Sequence, residues 1–244
     1  KYVTLKSEDL FVDVLEGKEL VTDSDVSINS KKDIAKDFNV SSKNIFVIPN
    51  GIDFQKFSPK KNIPRIPGQI ITTASADVPL KGLDFTLKAV SKLKKDFPYI
   101  RLVIIGAARA GGHTERLIQK LKIEANIVYK TNLTKEEIAI EYANSNIAIV
   151  SSLYEGFGLP LLEAMNLGTP VLTSSCSSMP EVAGNAAILV EPTNVSKISK
   201  EIQKILENKC LQKRLIMLGH SRAAEFSWQK SADELLSVFE NGAL

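Results

Sequence analysis

From about residue 44 onward, short apolar, β-branched runs alternate with longer amphipathic ones, and this rhythm limits the chain more than any other feature. A strand that pairs in parallel needs a crossover connection, usually a helix, and is then covered on both faces, so it reads as a continuous apolar run. Seven runs meet that description: Ile45 to Ile48, Ile70 to Ala74, Leu102 to Ile105, Ile127 to Tyr129, Ile147 to Val150, Val171 to Thr173 and Ala187 to Val190. They predict an open α/β sheet of seven parallel strands with helices on both faces.

The intervening segments carry the helical period. In Leu83 to Lys95 the residues Leu83, Leu87, Val90 and Leu93 recur every three or four positions, with Lys88, Lys92, Lys94 and Lys95 opposite them. Further helices are predicted over Glu115 to Leu121, Lys135 to Tyr142, Leu159 to Met165, Ser196 to Leu206, Leu211 to Glu225 and Trp228 to Phe239, with a capping box from Thr134 to Glu137. Before residue 44 the pattern changes to an acidic opening followed by a helix over Ser30 to Phe38. The segment Ser58 to Gly68, with Pro59, Pro64 and Pro67, reads as an exposed connector.

At 244 residues, 44% hydrophobic and 24% charged, the chain has the composition of a soluble globular protein with a core to bury. Its net charge of +3 is spread along the sequence, which gives no support to a nucleic-acid partner. Lys31, Lys32 and Lys36 on the early helix could touch an anionic membrane surface or form a solvated face. Two cysteines, Cys176 and Cys210, and two histidines, His113 and His220, show no zinc-ligand spacing, so no metal site is expected and both thiols are expected to be reduced and buried. No apolar run is long enough to span a membrane and no leader pattern opens the chain, which points to a cytoplasmic protein. The start at Lys1 rather than Met suggests a fragment or a processed product.

Chemistry concentrates in Tyr154 to Met165, YEGFGLPLLEAM, directly after the apolar run Ile147 to Val150. A strand ends, two glycines allow close backbone approach, and a helix begins, so its first-turn N–H groups point into the crevice where anions bind. Glu155 in the loop and Glu163 in the helix could both face one ligand, and a carboxylate suits vicinal sugar hydroxyls. Taken alone, Glu163 could equally be a solvated helix residue and Glu155 a charge favouring the helix N-terminus.

EGFGLPLLEAM, followed by GTPVLTSS and MPEVAG, resembles the family-four retaining glycosyltransferases of the GT-B fold, whose donor-binding domain carries two glutamates with seven residues between them. The resemblance runs from about Ser27 to the C-terminus. It takes in IPNGID at Ile48 to Asp53, PLKGLD at Pro79 to Asp84 and FSW at Phe226 to Trp228. It implies a Rossmann-like C-terminal half of a GT-B enzyme, binding a nucleoside diphosphate sugar as donor substrate and needing no metal. By that resemblance Lys81 holds the diphosphate and Glu155 the transferred sugar, the two catalytic positions. Glu163 would hold the ribose, and the backbone of Gly156, Phe157, Gly158 and Leu159 would line the sugar and diphosphate.

The family's Gly-Arg pair is replaced by Thr73-Ala74-Ser75, so its second cation is missing from the usual place. Arg109, in a glycine-rich stretch after another strand, could supply that charge or belong to a plain surface loop. Tyr129 to Asn132 fall where the family's base-binding backbone lies, and Cys176, Ser177 and Ser178 where its sugar-facing loop lies. Cys176 has no histidine placed to activate it as a nucleophile. His113 is read as capping or preceding a helix and His220 as lying on a helix's polar face.

A GT-B enzyme closes two domains over a cleft, and this chain is too short for both. Residues 1–43 are therefore expected to be the tail of the first domain, residues 44–225 the nucleotide-sugar domain, and residues 226–244 a helix that crosses back. The apolar side of that last helix would be exposed or covered by another chain, which leaves self-association open. The implied acceptor is a saccharide or a lipid-linked sugar, held by the first domain. Two other readings stay open: a nucleotide-sugar isomerase of the 2-epimerase kind, and a nucleotide-sugar-binding module without catalysis.

Overall fold

The structure is a computed structural model, and it describes residues 23–55, 57, 63–74, 77–107 and 109–240. The acidic opening lies outside the described residues. Strand β1 (Asp23–Asp25) and strand β2 (Ile45–Val47) pair in parallel, joined through helix α1 (Ile28–Asp37). The Ser27 side chain caps α1 by accepting the Ser30 N–H.

The main sheet has six strands: β3 (Gln69–Thr73), β4 (Arg101–Ile105), β5 (Ile127–Lys130), β6 (Ile147–Val150), β7 (Val171–Ser174) and β8 (Ala187–Val190). They lie in the order β5-β4-β3-β6-β7-β8 with every neighbouring pair parallel. The seventh expected strand, Ile45 to Ile48, is not part of this sheet. Its ladder partner is β1, because an apolar run says that a segment is extended and half or fully covered but does not name its neighbour.

Successive residues of each central strand supply opposite faces, which explains why these strands have no polar side in the sequence. Ile70, Leu102, Ile104, Ile147, Ile149 and Leu172 pack with α2 (Leu83–Leu93), α3 (His113–Leu121) and α7 (Val195–Glu207). Ile71, Val103, Ala148, Val150 and Val171 pack with α4 (Lys135–Asn144), α5 (Leu159–Asn166) and α6 (Met179–Ala183). The α/β expectation is met, with helices on both faces. Helix α6 had no periodic signal, since five residues, one of them a proline, are too few to show one.

Thr134 and Glu137 form the expected capping box at α4. Helix α8 (Lys209–Ala223) packs on α5, and α9 (Trp228–Glu240) closes the described chain. Helix α9 has no buried residue; Trp228, Leu236 and Phe239 are exposed. Its approach joins two distant motifs: the Ile52 N–H bonds to the Phe226 carbonyl at 3.2 Å, and the Ser231 hydroxyl reaches the Pro49 carbonyl.

One local expectation changes. Cys210 is exposed and Cys176 only half-buried, because Cys210 sits on the side of α8 away from the buried Gln212, Leu215 and Gly219. Of the connector, residues 58–62 lie outside the described residues; Pro64 and Pro67 are exposed as expected, and Arg65 anchors it, its guanidinium donating to the carbonyls of Ser145 and Gly168 at the ends of α4 and α5. His113 begins α3, and its Nε2 lies 2.7 Å from Asp84 Oδ2; His220 is exposed on α8. Among the described residues no helix is long and apolar enough to cross a membrane.

Candidate functional site

Strands β3 and β6 are neighbours in the sheet, Ile70 standing opposite Ile147, yet their chains depart in opposite directions, to β4 and to β7. The loops that follow them therefore diverge and leave a crevice at the carboxyl ends, where ligands of open α/β sheets bind. The β3 loop carries Lys81 and the β6 loop carries Glu155 to Leu159. The two loops are laced together: the Leu153 N–H donates to the Leu80 carbonyl at 2.7 Å, and the Ser151 hydroxyl donates to the Gly82 carbonyl at 3.1 Å. Gly82 ends the short turn Pro79–Lys81 at φ +65°, and a Cβ there would stand 2.0 Å from the Ser151 carbonyl oxygen. Only glycine fits that crossing.

This lacing brings Lys81 Nζ to 2.6 Å from Glu155 Oε1. The sequence placed both residues at the site; the structure makes them partners. Their side chains are 37% and 16% exposed, so the lysine end of the pair is the one open to solvent. The Ser152 hydroxyl also donates to Glu155 Oε1, at 2.9 Å. Main-chain contacts come from the loop after β7, where the Ser177 hydroxyl accepts the Glu155 N–H at 3.1 Å and donates to its carbonyl at 2.7 Å. The buried Ser178 hydroxyl lies 2.8 Å from the Glu155 carbonyl and 3.0 Å from that of Phe157.

Gly156, Phe157, Gly158 and Leu159 lead into α5. The Gly156 carbonyl accepts the Ser30 hydroxyl of α1 at 3.2 Å. The Phe157 ring is buried edge-on against Phe226, centroids 5.7 Å apart, which takes the ring out of reach of a ligand. Gly158 adopts φ +107°, and a Cβ there would meet the end of Met179 at 2.3 Å. In the first turn of α5, Pro160 has no N–H and the Leu161 N–H is turned to the Gly158 carbonyl, which narrows the expected donors to Leu159.

Glu163 lies on α5 toward α4. Burial pushes its carboxyl up to about 7, only partly offset by the charge of Lys135. Beneath it the phenol of Tyr142 is fully buried and is raised well above the ordinary tyrosine range by burial and by the Glu163 charge. A carboxyl of this kind is short of hydrogen-bond donors, which is what hydroxyls of a ligand would supply.

Arg109 and Tyr129 fall in a separate group. Asp77 Oδ1 accepts the Thr114 N–H and hydroxyl at the start of α3, which lowers its pKa. Arg109 is exposed nearby, its charge favouring the Asp77 carboxylate, and Tyr129 is half-buried, its phenol raised by burial and by Asp77 and Glu115. Among the described residues no hydrogen bond or ion pair joins Arg109 or Tyr129 to Lys81 or Glu155. Where the family's arginine pair would stand, Ala74 is buried with its N–H on the Ile105 carbonyl, and Ser75 lies outside the described residues. The Cys176 thiol points at the Leu153 carbonyl, 3.3 Å away.

Among the described residues no three His, Cys, Asp or Glu side chains gather as a metal site would require. Sequence reasoning missed Ser152 and Asp77, and saw Ser177 and Ser178 as facing a ligand rather than clasping the glutamate. Two consecutive serines after a strand, Ser151 and Ser152, were the available signal.

Comparison with known proteins agrees with this architecture. The family model described as glycosyl transferases group 1 matches residues 53–221. The chain is 38% identical over 219 residues to the MMP alpha-(1->4)-mannosyltransferase of Mycolicibacterium hassiacum, a match that covers 88% of this chain and 53% of that protein. It thus spans about half the length of that relative. Among solved structures, the C-terminal domain of the glycosyl transferase group 1 family protein LpcC from Francisella tularensis superposes at a TM-score of 0.63 with 24% identity, covering 72% of this chain and 97% of that one. Anabaena Alr3699/HepE, in complex with UDP and glucose, superposes at 0.77 with 16% identity, covering 89% and 62%. Those two likenesses bear on the fold. With the family model spanning most of the described sheet, and with the mannosyltransferase identity, the chain belongs to the group 1 glycosyltransferases, the family of the GT-B fold.

Proposed function

We propose that the chain is the donor-binding half of a retaining glycosyltransferase that moves a sugar from a nucleoside diphosphate to a saccharide or lipid-linked acceptor, in glycan, glycolipid or cell-surface polysaccharide synthesis. In this reading residues 44–225 hold the donor, residues 1–43 end the acceptor half, and residues 226–244 cross back to it. The observation that carries the reading is the Lys81–Glu155 pair, a cation and a carboxylate 2.6 Å apart beside the open start of α5. Each partner stands in for part of a donor: the carboxylate takes the place of the diphosphate at Lys81, and the ammonium that of the sugar hydroxyls at Glu155.

Donor binding exchanges this internal pair for two external ones. Lys81 turns to the diphosphate, Glu155 accepts from sugar hydroxyls, and Glu163 accepts from the ribose. The bond between the anomeric carbon and the leaving phosphate oxygen then breaks while the acceptor oxygen bonds to the same face of that carbon. The acceptor's proton passes to the departing diphosphate. Lys81 and the Leu159 amide stabilise the charge that develops there. A structural neighbour crystallised with UDP and glucose supports a nucleotide and a sugar as its ligands, and the relative's name supports transfer rather than isomerisation.

Calorimetric titration with a panel of nucleoside diphosphates and their sugars tests the proposal. Saturable binding of one nucleotide series, weakened tenfold or more by Lys81→Ala, is the expected result. Undiminished binding by both Lys81→Ala and Glu163→Ala would place the ligand elsewhere.

A further inference from the structure

Resting on the reading of Glu155 as the sugar-facing carboxylate, we infer that Ser152 and Ser177 are its positioning residues, and that they give the site its preference for a sugar-bearing nucleotide over the bare one. Glu155 stands on a loop beside two glycines, so the backbone alone leaves its carboxylate free to swing. Lys81 holds Oε1 while the site is empty, but a lysine that turns to a diphosphate releases that hold. Among the described residues the one other side-chain donor on Oε1 is the hydroxyl of Ser152, a residue 2% exposed, 2.9 Å away. With Oε1 kept by Ser152, Oε2 is left to accept from a ligand.

Ser177 acts on the other end of the same residue. Its single hydroxyl both accepts the Glu155 N–H and donates to the Glu155 carbonyl, fixing the peptide planes on either side of the α-carbon. Ser177 does this from a left-handed backbone at φ +57°, a conformation that costs a serine free energy and that persists where surrounding contacts impose it. The two serines follow different strands, β6 and β7. Glu155 is therefore located by the rigid sheet and not by its own loop.

The test compares the dissociation constants of a nucleoside diphosphate and of the matching nucleoside diphosphate sugar, using UDP with UDP-glucose and GDP with GDP-mannose. Both Ser152→Ala and Ser177→Gly, the latter suited to the left-handed backbone, should bind the bare diphosphate within about twofold of the unaltered chain and the sugar-bearing one at least about fivefold more weakly. A merely structural role would move both affinities together and leave their ratio unchanged, and that result would overturn the inference. Glu155→Ala separates the two levels. If it abolishes the preference while the serine variants keep it, the assignment of Glu155 stands and the inference about the serines fails. If the unaltered chain shows no preference for either sugar-bearing ligand, or binds none, both fall.

Discussion

Replacing Glu163 by glutamine removes a carboxyl that the folded chain holds protonated well above its usual range. Because burial raises its pKa from 4.5 to about 7, the folded protein keeps a proton that the unfolded chain has released throughout that window. Stability falls with rising pH wherever the folded state binds more protons, so this contribution is complete below pH 4.5 and is lost as the pH climbs through 7. At about 1.4 kcal/mol per pH unit the loss amounts to at most about 3 kcal/mol, the upper figure applying if solvent reaches none of the carboxyl. Glu163→Gln keeps the shape and cannot ionise. Urea unfolding followed by circular dichroism, from about pH 5 to about pH 8, should therefore show the variant gaining on the parent as pH rises, by about 3 kcal/mol at most. Other carboxylates titrate equally in both proteins and cancel in the difference. Parallel stability curves across this window would refute the reasoning, since they would mean that Glu163 ionises in the folded chain as freely as in the unfolded one.

The same proton gives a second expectation: if ribose hydroxyls donate to Glu163 they favour its charged form, so nucleotide binding near pH 6 should release a proton, seen as a buffer-dependent enthalpy in calorimetry that Glu163→Gln abolishes. Gly158→Ala forces a side chain into φ +107° and against Met179, and should cost about 2 kcal/mol in thermal or urea unfolding. Thr134→Ala removes the capping box of α4 and should cost about 1 kcal/mol. Asp77→Ala takes away the carboxylate that caps α3. Because that carboxylate has a depressed pKa, the parent's advantage over the variant should be full above the ordinary value of 3.8 and disappear as the pH falls below it.

Most of the helices of the main sheet were legible because each buries one stripe of a 3.6-residue period, as Leu83, Leu87, Val90 and Leu93 do in α2. The inner strands β3, β4, β6 and β7 were legible because cover on both faces leaves almost no exposed position to interrupt their apolar runs. Helix α6 escaped because it is too short for a period, and Ile45–Val47 was assigned to the wrong sheet because extended, apolar character is a property of a segment while pairing belongs to two. Cys210 was misread as buried for a related reason: residue type gives an average, and its place on α8 turned it outward.

By itself the sequence determined most of the strands and helices, that the main sheet is parallel, and which loop carries chemistry, since periodicity, capping and glycine placement are local properties of consecutive residues. Tertiary structure decided how that loop's parts meet. Lys81 and Glu155 are 74 residues apart along the chain and become ion-pair partners only because β3 and β6 lie side by side at the point where the strand order reverses. Ser152 and Ser177 converge on Glu155 from the ends of β6 and β7, and the perturbed Glu163 owes its state to burial, which Lys135 of the neighbouring helix α4 offsets only in part. Contacts across strands, and the desolvation they create, depend on which elements stack together, and a linear pattern of residue types carries no record of that.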